Sequence, residues 1–205
     1  MNDKSKIIEF STNKFLKDGI YKTRMDDIAK ELRISKKTLY KNFTSKEELV
    51  KGIFNNLKFQ MHSRITAVLQ KESPSIDKFI SLIEILGQFA SRVNDSALNE
   101  LKIHYNETWK EIESFRENIF MREMKNVFEQ GKNEGLINDF PTEILLTIYL
   151  GAIRAVINPE FVTNNKFTMK EVVELTFKLL MEGALTNGGK LHFRKIKSEQ
   201  ENEIL

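Results

Sequence analysis

A short basic stretch near the N-terminus carries the side chains best suited to bind nucleic acid. Lysine donates hydrogen bonds to the O6 and N7 atoms of guanine, and threonine bonds a base or touches a thymine methyl group. Helix starts have free amide groups that favour phosphates. The candidates for base reading are Ser35, Lys36, Lys37 and Thr38, and the other candidates for DNA binding are Thr23, Arg24, Tyr40, Lys41 and Lys46.

Two short helices, separated by a turn at Arg33 and Ile34, are predicted to position these side chains. The stretch from Thr23 to Asp26 fits a capping box, and Ser35 suits the N-cap of the next helix. A helix-turn-helix unit with this spacing presents the tip of its second helix to the major groove. The spacing alone leaves another interpretation, in which three helices have basic faces that are only solvated.

The composition predicts an all-α fold. Glycine and proline together number 9 + 3 = 12 of 205 residues, which is too few for the tight turns of a β-protein. A first helix is predicted from Ser5 to Lys17, and a long fourth helix over residues 45–71 begins with a capping box at Ser45. Further helices are predicted over residues 76–93, 96–105, 107–133, 142–157 and 168–186. The prediction is therefore about nine helices, of which the first three form an N-terminal DNA-binding domain.

The distribution of charge supports an anionic partner for the N-terminal region. Residues 1–50 contain 12 basic and 8 acidic side chains, whereas residues 51–205 contain 20 basic and 21 acidic side chains. The net charge of +3 therefore comes from the first quarter of the chain. A basic module joined to a near-neutral body is typical of proteins that bind nucleic acid.

Several classes of protein are excluded or disfavoured. The chain has no cysteine, so disulfides, thiolate nucleophiles and cysteine zinc sites are excluded. The three histidines are far apart in sequence, and no phosphate-binding loop or nucleophile motif occurs, so we expect no enzyme, metal or cofactor. No apolar run reaches the roughly 18 residues of a membrane helix, and no signal peptide is recognised. We expect a cytoplasmic protein without a membrane partner.

Residues Phe15 to Phe54 resemble the N-terminal domain of the TetR family of transcriptional regulators. The resemblance runs through residues 15–23 (FLKDGIYKT), 25–29 (MDDIA), 34–43 (ISKKTLYKNF) and 45–49 (SKEEL). It implies an all-helical homodimer whose C-terminal domain holds the dimer interface and a small-molecule pocket. It also implies a repressor that a ligand releases from its double-stranded DNA operator.

One position departs from the family pattern. The turn between the two reading helices usually has a small residue and then glycine, but here it reads Leu32-Arg33. Arginine in a left-handed backbone conformation costs about 1 kcal/mol. We expect either an opened turn or an Arg33 that accepts this strain and contacts a phosphate.

Three domains are predicted: residues 1–50 for DNA binding, residues 51–186 for regulation and dimerisation, and residues 187–205 as a flexible tail. The helices at 142–157 and 168–186 are apolar over more than one face, as expected for helices that pack on their own subunit and on a partner. Ordinary burial within a monomer is the alternative. The predicted dimer residues are Ile148, Gly151, Ala152, Ala155, Val172, Leu175, Thr176, Leu179 and Gly183.

An aromatic concentration around Trp109 predicts a cavity for an unidentified effector, which we expect to be an apolar or aromatic small molecule. Its predicted lining is His104, Tyr105, Trp109, Phe115, Phe120, Met124, Tyr149 and Arg154. The alternatives are a phenylalanine-rich core and, for Arg154, a structural ion pair with Glu100 or Glu107. For the whole chain, the competing function is a helical ligand-binding or interaction protein that recognises no operator.

Overall fold

The computed structural model describes residues 3–92 and 95–202, and within these ranges the regular secondary structure is helical. One isolated antiparallel β-bridge joins Ile137 and Leu185. The helices are α1 (Asp3–Asp18), α2 (Met25–Glu31), α3 (Lys36–Asn42), α4 (Lys46–Leu69), α5 (Ser75–Ala90), α6 (Asp95–His104), α7 (Asn106–Asn133), α8 (Thr142–Val156), α9 (Pro159–Asn165), α10 (Met169–Ala184) and α11 (Asn187–Asn202). The predicted all-α fold is confirmed.

The described chain forms two compact units that do not follow the predicted boundary at residue 50. The first contains the described residues up to 62 together with those of 91–115, and the second contains residues 63–90 and the described residues from 116 onward. Helices α4 and α7 each contribute residues to both units. The division of functions between residues 1–50 and 51–186 stays a prediction, because compactness alone does not assign a function.

In the first unit, α1 contacts α2, α3 and α6, and α2 contacts α3. The apolar side chains between these helices are almost completely buried, with Ile28 and Leu39 at 0% exposure and Phe43 at 1%. Burial of a side chain of this size contributes about 1.5–3 kcal/mol. The packing therefore fixes which sides of the short helices α2 and α3 remain in solvent.

In the second unit, α10 packs against α5, α8 and α9, and α11 packs against α5. Its core is aromatic: the rings of Phe79 and Phe128 lie 5.3 Å apart, and the Tyr149 ring meets Phe128 edge-on at 5.1 Å. The Tyr149 hydroxyl donates to the sulfur of Met181 at 3.7 Å. These side chains fill the space between α5, α7, α8 and α10.

The prediction of a flexible tail over residues 187–205 is wrong for residues 187–202, which form α11. The Thr186 hydroxyl accepts from the Gly189 amide at 3.0 Å and so caps the helix. Gly189 is buried, and a Cβ atom there would lie 2.1 Å from the carbonyl oxygen of Leu136. Phe193 is also buried, and His192 Nε2 lies 2.7 Å from an Asp77 carboxylate oxygen. Gly189 thus permits close packing of this segment. Residues 203–205 lie outside the described residues.

A second difference from the prediction is α9, which occupies a stretch expected to be a break between helices. Asn158 caps it by accepting from the Phe161 amide, and Pro159 occupies its first turn, where a missing amide costs nothing. The helix ends at Lys166, which has a left-handed φ of 58°. With α9 and α11, the described chain contains eleven helices rather than about nine.

Among the described residues, no single helix is long and apolar enough to cross a membrane. Helices α8 and α9 pass such a test of length and composition only as a pair, and they are bent by 59° at the break between them.

Candidate nucleic-acid interface

Helix α3 is a short, well-capped element in the first unit. The Ser35 hydroxyl accepts a hydrogen bond from the Thr38 amide at 3.0 Å, so Ser35 is the N-cap that the sequence predicted. Leu39 anchors the helix in the core at 0% exposure. Because α3 has a buried anchor and a defined start, the direction in which each of its residues faces is fixed.

Two of the predicted base-reading hydroxyls already have local partners. The Ser35 and Thr38 hydroxyl oxygens lie 2.9 Å apart, and either can donate to the other. Thr38 is half-buried, and its carbonyl accepts from the Asn42 side chain at 2.9 Å. A hydroxyl has several hydrogen-bonding positions, so these contacts restrict both groups without using up their capacity.

Lys36 is held by a partner on the preceding helix. Its ammonium lies 2.6 Å from a carboxylate oxygen of Asp26, and both side chains are exposed. The hydrogen bond to Asp26 raises the pKa of Lys36. The local sequence pattern assigned Asp26 to a capping box and does not reveal this ion pair, which joins residues ten positions apart.

Three other residues of α3 are exposed: Lys37, Tyr40 and Lys41. Within the described residues, neither lysine has an ion-pair or hydrogen-bond partner. Tyr40 retains 45% exposure, which is high for a large aromatic side chain. These three side chains are the groups that α3 offers most freely to a ligand.

The turn between α1 and α2 differs from its prediction, because Thr23 caps no helix. Its side chain is 2% exposed, and its hydroxyl donates to the Gly19 carbonyl at 2.9 Å. Arg24 takes the N-cap position of α2 without a side-chain capping bond. Thr23 therefore closes the turn, and its side chain is not available to bind a phosphate, whereas Arg24 and its neighbour Lys22 are exposed.

Lys46 begins α4 and is linked to the same turn. Its ammonium donates to the Tyr21 carbonyl at 3.3 Å, and the Tyr21 amide donates to a carboxylate oxygen of Glu100 at 2.7 Å. Partial burial lowers the pKa of Lys46, and the charge of Glu100 opposes this effect. Glu100 could not be identified from the sequence, because no local pattern connects α6 with a turn 79 residues away.

The capping box predicted at Ser45 is present in part. The Ser45 hydroxyl accepts from the Glu48 amide at 3.1 Å. The Glu48 carboxylate, however, accepts from the amide and the hydroxyl of Thr44, at 2.7 and 2.8 Å, and these bonds lower its pKa. The two side chains thus secure the loop before α4 and the first turn of the helix.

Arg33 adopts the strained conformation that the sequence allowed as one of two outcomes. Its φ is 55°, its amide donates to the Lys30 carbonyl at 3.1 Å, and the Ile34 amide donates to the Ala29 carbonyl at 3.0 Å. This pair of bonds is the Schellman motif, in which glycine is usual at the left-handed position. The Arg33 side chain is exposed beside the reading helix.

The predicted pocket residues are divided between the two units. His104, Tyr105, Trp109 and Phe115 belong to the first unit. Trp109 is buried and Tyr105 is half-buried, and this burial raises the pKa of Tyr105. His104 is exposed, and its ring stacks on Tyr21 with centroids 6.1 Å apart.

The second unit holds Phe120, Met124, Tyr149 and Arg154. The rings of Phe120 and Tyr149 are stacked 6.2 Å apart, and Tyr149 is 1% exposed. Burial raises the pKa of Tyr149. Arg154 forms an ion pair with Glu117, so the partners suggested from the sequence, Glu100 and Glu107, are wrong.

A surface groove of about 530 Å³ lies elsewhere in the second unit, between α10 and α11. None of the predicted pocket residues lines it. Its lining consists of Lys178, Glu182, Leu185, Lys190, Phe193, Arg194 and Ser198.

Most of the predicted dimer residues are exposed on α8 and α10, which pack against each other. Large apolar side chains stand in solvent there, and we call these four the apolar face: Ile144, Ile148, Leu175 and Leu179, at 53%, 53%, 52% and 70% exposure. The predicted residues Gly151, Ala155 and Gly183 are also exposed, and Ala152 and Thr176 are half-buried. The prediction for Val172 is wrong, because this side chain is 5% exposed and packs inside its own subunit.

Comparisons with known proteins agree with this geometry. Residues 7–53 match the model of a family described as bacterial regulatory proteins, tetR family, and this range contains every residue of the candidate interface. The uncharacterized HTH-type transcriptional regulator YvaF of Bacillus subtilis strain 168 is 27% identical over 175 residues. The aligned region covers 84% of this chain and 90% of that protein.

Solved structures share the fold. A TetR-family transcriptional regulator from Marinobacter aquaeolei VT8 matches with a TM-score of 0.72 and 16% identity, over 97% of this chain and 98% of that chain. A transcriptional regulator of the TetR/AcrR family from Thermobifida fusca YX-ER1 matches with a TM-score of 0.64 and 23% identity, over 89% of this chain and 98% of that chain. The family resemblance of residues 15–54 is confirmed.

Proposed function

This chain is a transcriptional regulator of the TetR family, and we propose that it acts as a homodimeric repressor which a small apolar or aromatic ligand releases from its operator. The observation that carries the proposal is the surface of α3. Lys37, Tyr40 and Lys41 are exposed on a helix that a buried anchor holds in place. Such a helix is already ordered, so entering the major groove of DNA does not carry the free-energy cost of folding the helix first.

The proposed division of labour follows from exposure and existing contacts. Lys37 reads base edges, with Ser35 and Thr38 beside it at the tip of α3. Arg24, Tyr40, Lys41 and Lys46 bind phosphates, and Lys46 does so while it remains close to the Tyr21 carbonyl. Arg33 adds a phosphate contact that offsets the strain of its backbone. Phosphate contacts fix the register of the protein on DNA, and the base contacts supply the sequence preference.

Homodimer formation is supported by the apolar face on α8 and α10. A contiguous group of exposed large apolar side chains on a monomer is typical of an interaction site. A two-fold dimer would place the same face of each subunit against the other, so that Ile148 and Leu179 become buried on both sides. Two reading helices would then contact two half-sites of an operator.

Ligand control is the part of the proposal that rests most on the family. We propose that the effector contacts aromatic side chains in the region of Trp109, and that α4, which contributes residues to both units, carries its effect to the DNA-binding domain. Within the second unit, the Tyr149 ring already packs against Phe120 and Phe128. A tenfold release from DNA requires a difference of about 1.4 kcal/mol in affinity between two conformations.

A selection from random duplexes tests DNA binding. We expect the wild-type protein to recover a palindromic sequence and to bind it at least about 1,000-fold more tightly than a scrambled duplex of equal length. Equal binding of the two duplexes would overturn operator recognition.

The single tryptophan, Trp109, gives the test of the ligand. We expect a small apolar or aromatic compound that releases the protein from the selected duplex to change the fluorescence of Trp109. Release of the duplex without any change at Trp109 would contradict the proposed location of the ligand.

A further inference from the structure

The ion pair between Asp26 and Lys36 lies within the candidate DNA-binding surface. Asp26 is in the first turn of α2, and Lys36 is the first residue of α3. The carboxylate and the ammonium are 2.6 Å apart, and the two side chains retain 54% and 66% exposure. An ion pair in such an exposed place contributes little to the stability of a fold, and its position beside Lys37 on α3 is what connects it with DNA binding.

We propose that Asp26 is a specificity-determining residue, which holds Lys36 on α2 and thereby keeps its positive charge from binding any phosphate of the DNA backbone. The proposal rests on the proposed function, since it concerns the same α3 surface. A lysine at the tip of a helix in the major groove can contact a backbone phosphate at many positions of the protein along the DNA. Binding of that kind strengthens every protein–DNA complex and carries no sequence information.

The surroundings of the pair explain why its effect is selective. The buried residues Met25 and Ile28 anchor the helix that carries Asp26. The Asp26 carboxylate is therefore held close to Lys36, where it competes with a DNA phosphate for the ammonium group. Lys37, next along α3, has no such acidic partner within the described residues. Of two adjacent lysines, one is therefore restrained and the other is free to contact DNA.

The test compares Asp26→Asn with Asp27→Asn. Both substitutions remove one negative charge from the first turn of α2, and both carboxylates are exposed, so their effects on the helix dipole and on the net charge are matched. Only Asp26 forms the ion pair with Lys36 among the described residues. A difference between the two variants therefore reports on Lys36.

Binding is measured by fluorescence anisotropy between 50 and 200 mM salt, with the duplex recovered by selection and with a scrambled duplex. Freeing one lysine adds about 0.9 to the slope of log K against log salt, which corresponds to an additional affinity loss of about 3.5-fold across this range. Asp26→Asn should show this steeper slope on the scrambled duplex, tighter binding at 50 mM, and a reduced ratio of selected to scrambled affinity.

A second substitution identifies the freed group. Lys36→Ala, introduced into the Asp26→Asn variant, should abolish the gain in affinity and restore the shallower slope. Equal slopes for Asp26→Asn and Asp27→Asn would overturn the inference, and so would a gain that survives Lys36→Ala. If the wild-type protein binds no duplex, or binds the two duplexes equally, the proposed function fails instead. Circular dichroism of each variant verifies that the helices are retained.

Discussion

The candidate DNA-binding surface of α2 and α3 and the apolar face of α8 and α10 are two proposed binding surfaces with different chemistry. On α3 the groups are charged and few, and several are restrained by a neighbour: Ser35 caps the helix, and Lys36 is paired with Asp26. On the apolar face the side chains are not held by polar contacts: Ile148 and Leu179 are exposed to solvent at 53% and 70%.

The difference shows how each surface obtains selectivity. Electrostatic attraction to DNA acts over roughly 10 Å and favours every sequence, so base contacts must supply the selectivity, and a restrained charge limits the non-specific part of the affinity. Apolar burial acts only at contact and depends on shape. The first surface should therefore be sensitive to salt and to single charges, and the second should be sensitive to a charge placed within it.

The largest effect is expected from a charge on the apolar face. Leu179→Glu would bury an unpaired carboxylate twice in a two-fold dimer, and each such group costs about 3–5 kcal/mol. We expect dissociation to monomers at micromolar concentration, measured by analytical ultracentrifugation. Lys178→Glu is the control on the same helix, because it changes the charge of the neighbouring residue outside the apolar face. A Leu179→Glu variant that still sediments as a dimer would exclude this interface.

The next largest effect is expected for Lys37→Ala. Loss of a base contact costs about 1–3 kcal/mol of discrimination, which is about 5- to 150-fold in affinity for the selected duplex. A repeated selection with the variant should recover a different or relaxed sequence. Lys41→Ala removes an equal charge from the far end of the same short helix, and it should weaken binding without altering the selected sequence. A change of preference in the Lys41 variant alone would reverse the assigned roles.

A third prediction concerns the strained turn. Arg33→Gly should stabilise the protein by about 1 kcal/mol, because glycine adopts a left-handed φ without the clash of a Cβ atom. Lys166→Gly, at the other left-handed residue that is not glycine, should stabilise it similarly. Urea denaturation measures both effects. Only Arg33→Gly should weaken DNA binding, and equal DNA affinities for the two variants would remove Arg33 from the interface.

The smallest effect is expected for Lys46→Ala. The loss of one phosphate contact reduces the slope of log K against log salt by about 0.9, so that the dependence on salt changes by about 3.5-fold between 50 and 200 mM. The loss should be the same for selected and scrambled duplexes. A change confined to the selected duplex would instead assign Lys46 to base recognition.

The sequence was sufficient for features that depend on neighbouring residues. Ser35 was recognised as an N-cap because the cap and its amide partner are three residues apart. The left-handed Arg33 was one of the two outcomes expected, because arginine occupies a family position that usually holds glycine. The helical fold followed from periodicity and from the low content of glycine and proline.

Contacts between distant residues could not be read in this way. Thr23 matched a capping pattern, but its side chain is buried and caps no helix. Helix α2 instead begins at Met25, with Arg24 at the N-cap position. Asp26, assigned to the same pattern, instead pairs with Lys36. The partner of Arg154 is Glu117. Several acidic residues were possible, and the partner can be identified only when the packing of α7 and α8 is known.

The close approach at Gly189 has a consequence for the order in which the second unit is completed during synthesis. The amide of Thr186, just before α11, donates to the Leu136 carbonyl at 3.1 Å, and a Cβ atom at Gly189 would overlap that same oxygen. Part of the docking site for α11 thus comes from Leu136, about 50 positions earlier in the chain, and part comes from the adjacent Leu185. Before α11 docks, the Leu136 carbonyl has to accept its hydrogen bonds from water. Nascent chains arrested before Phe193 should therefore be more sensitive to proteases than the full-length protein.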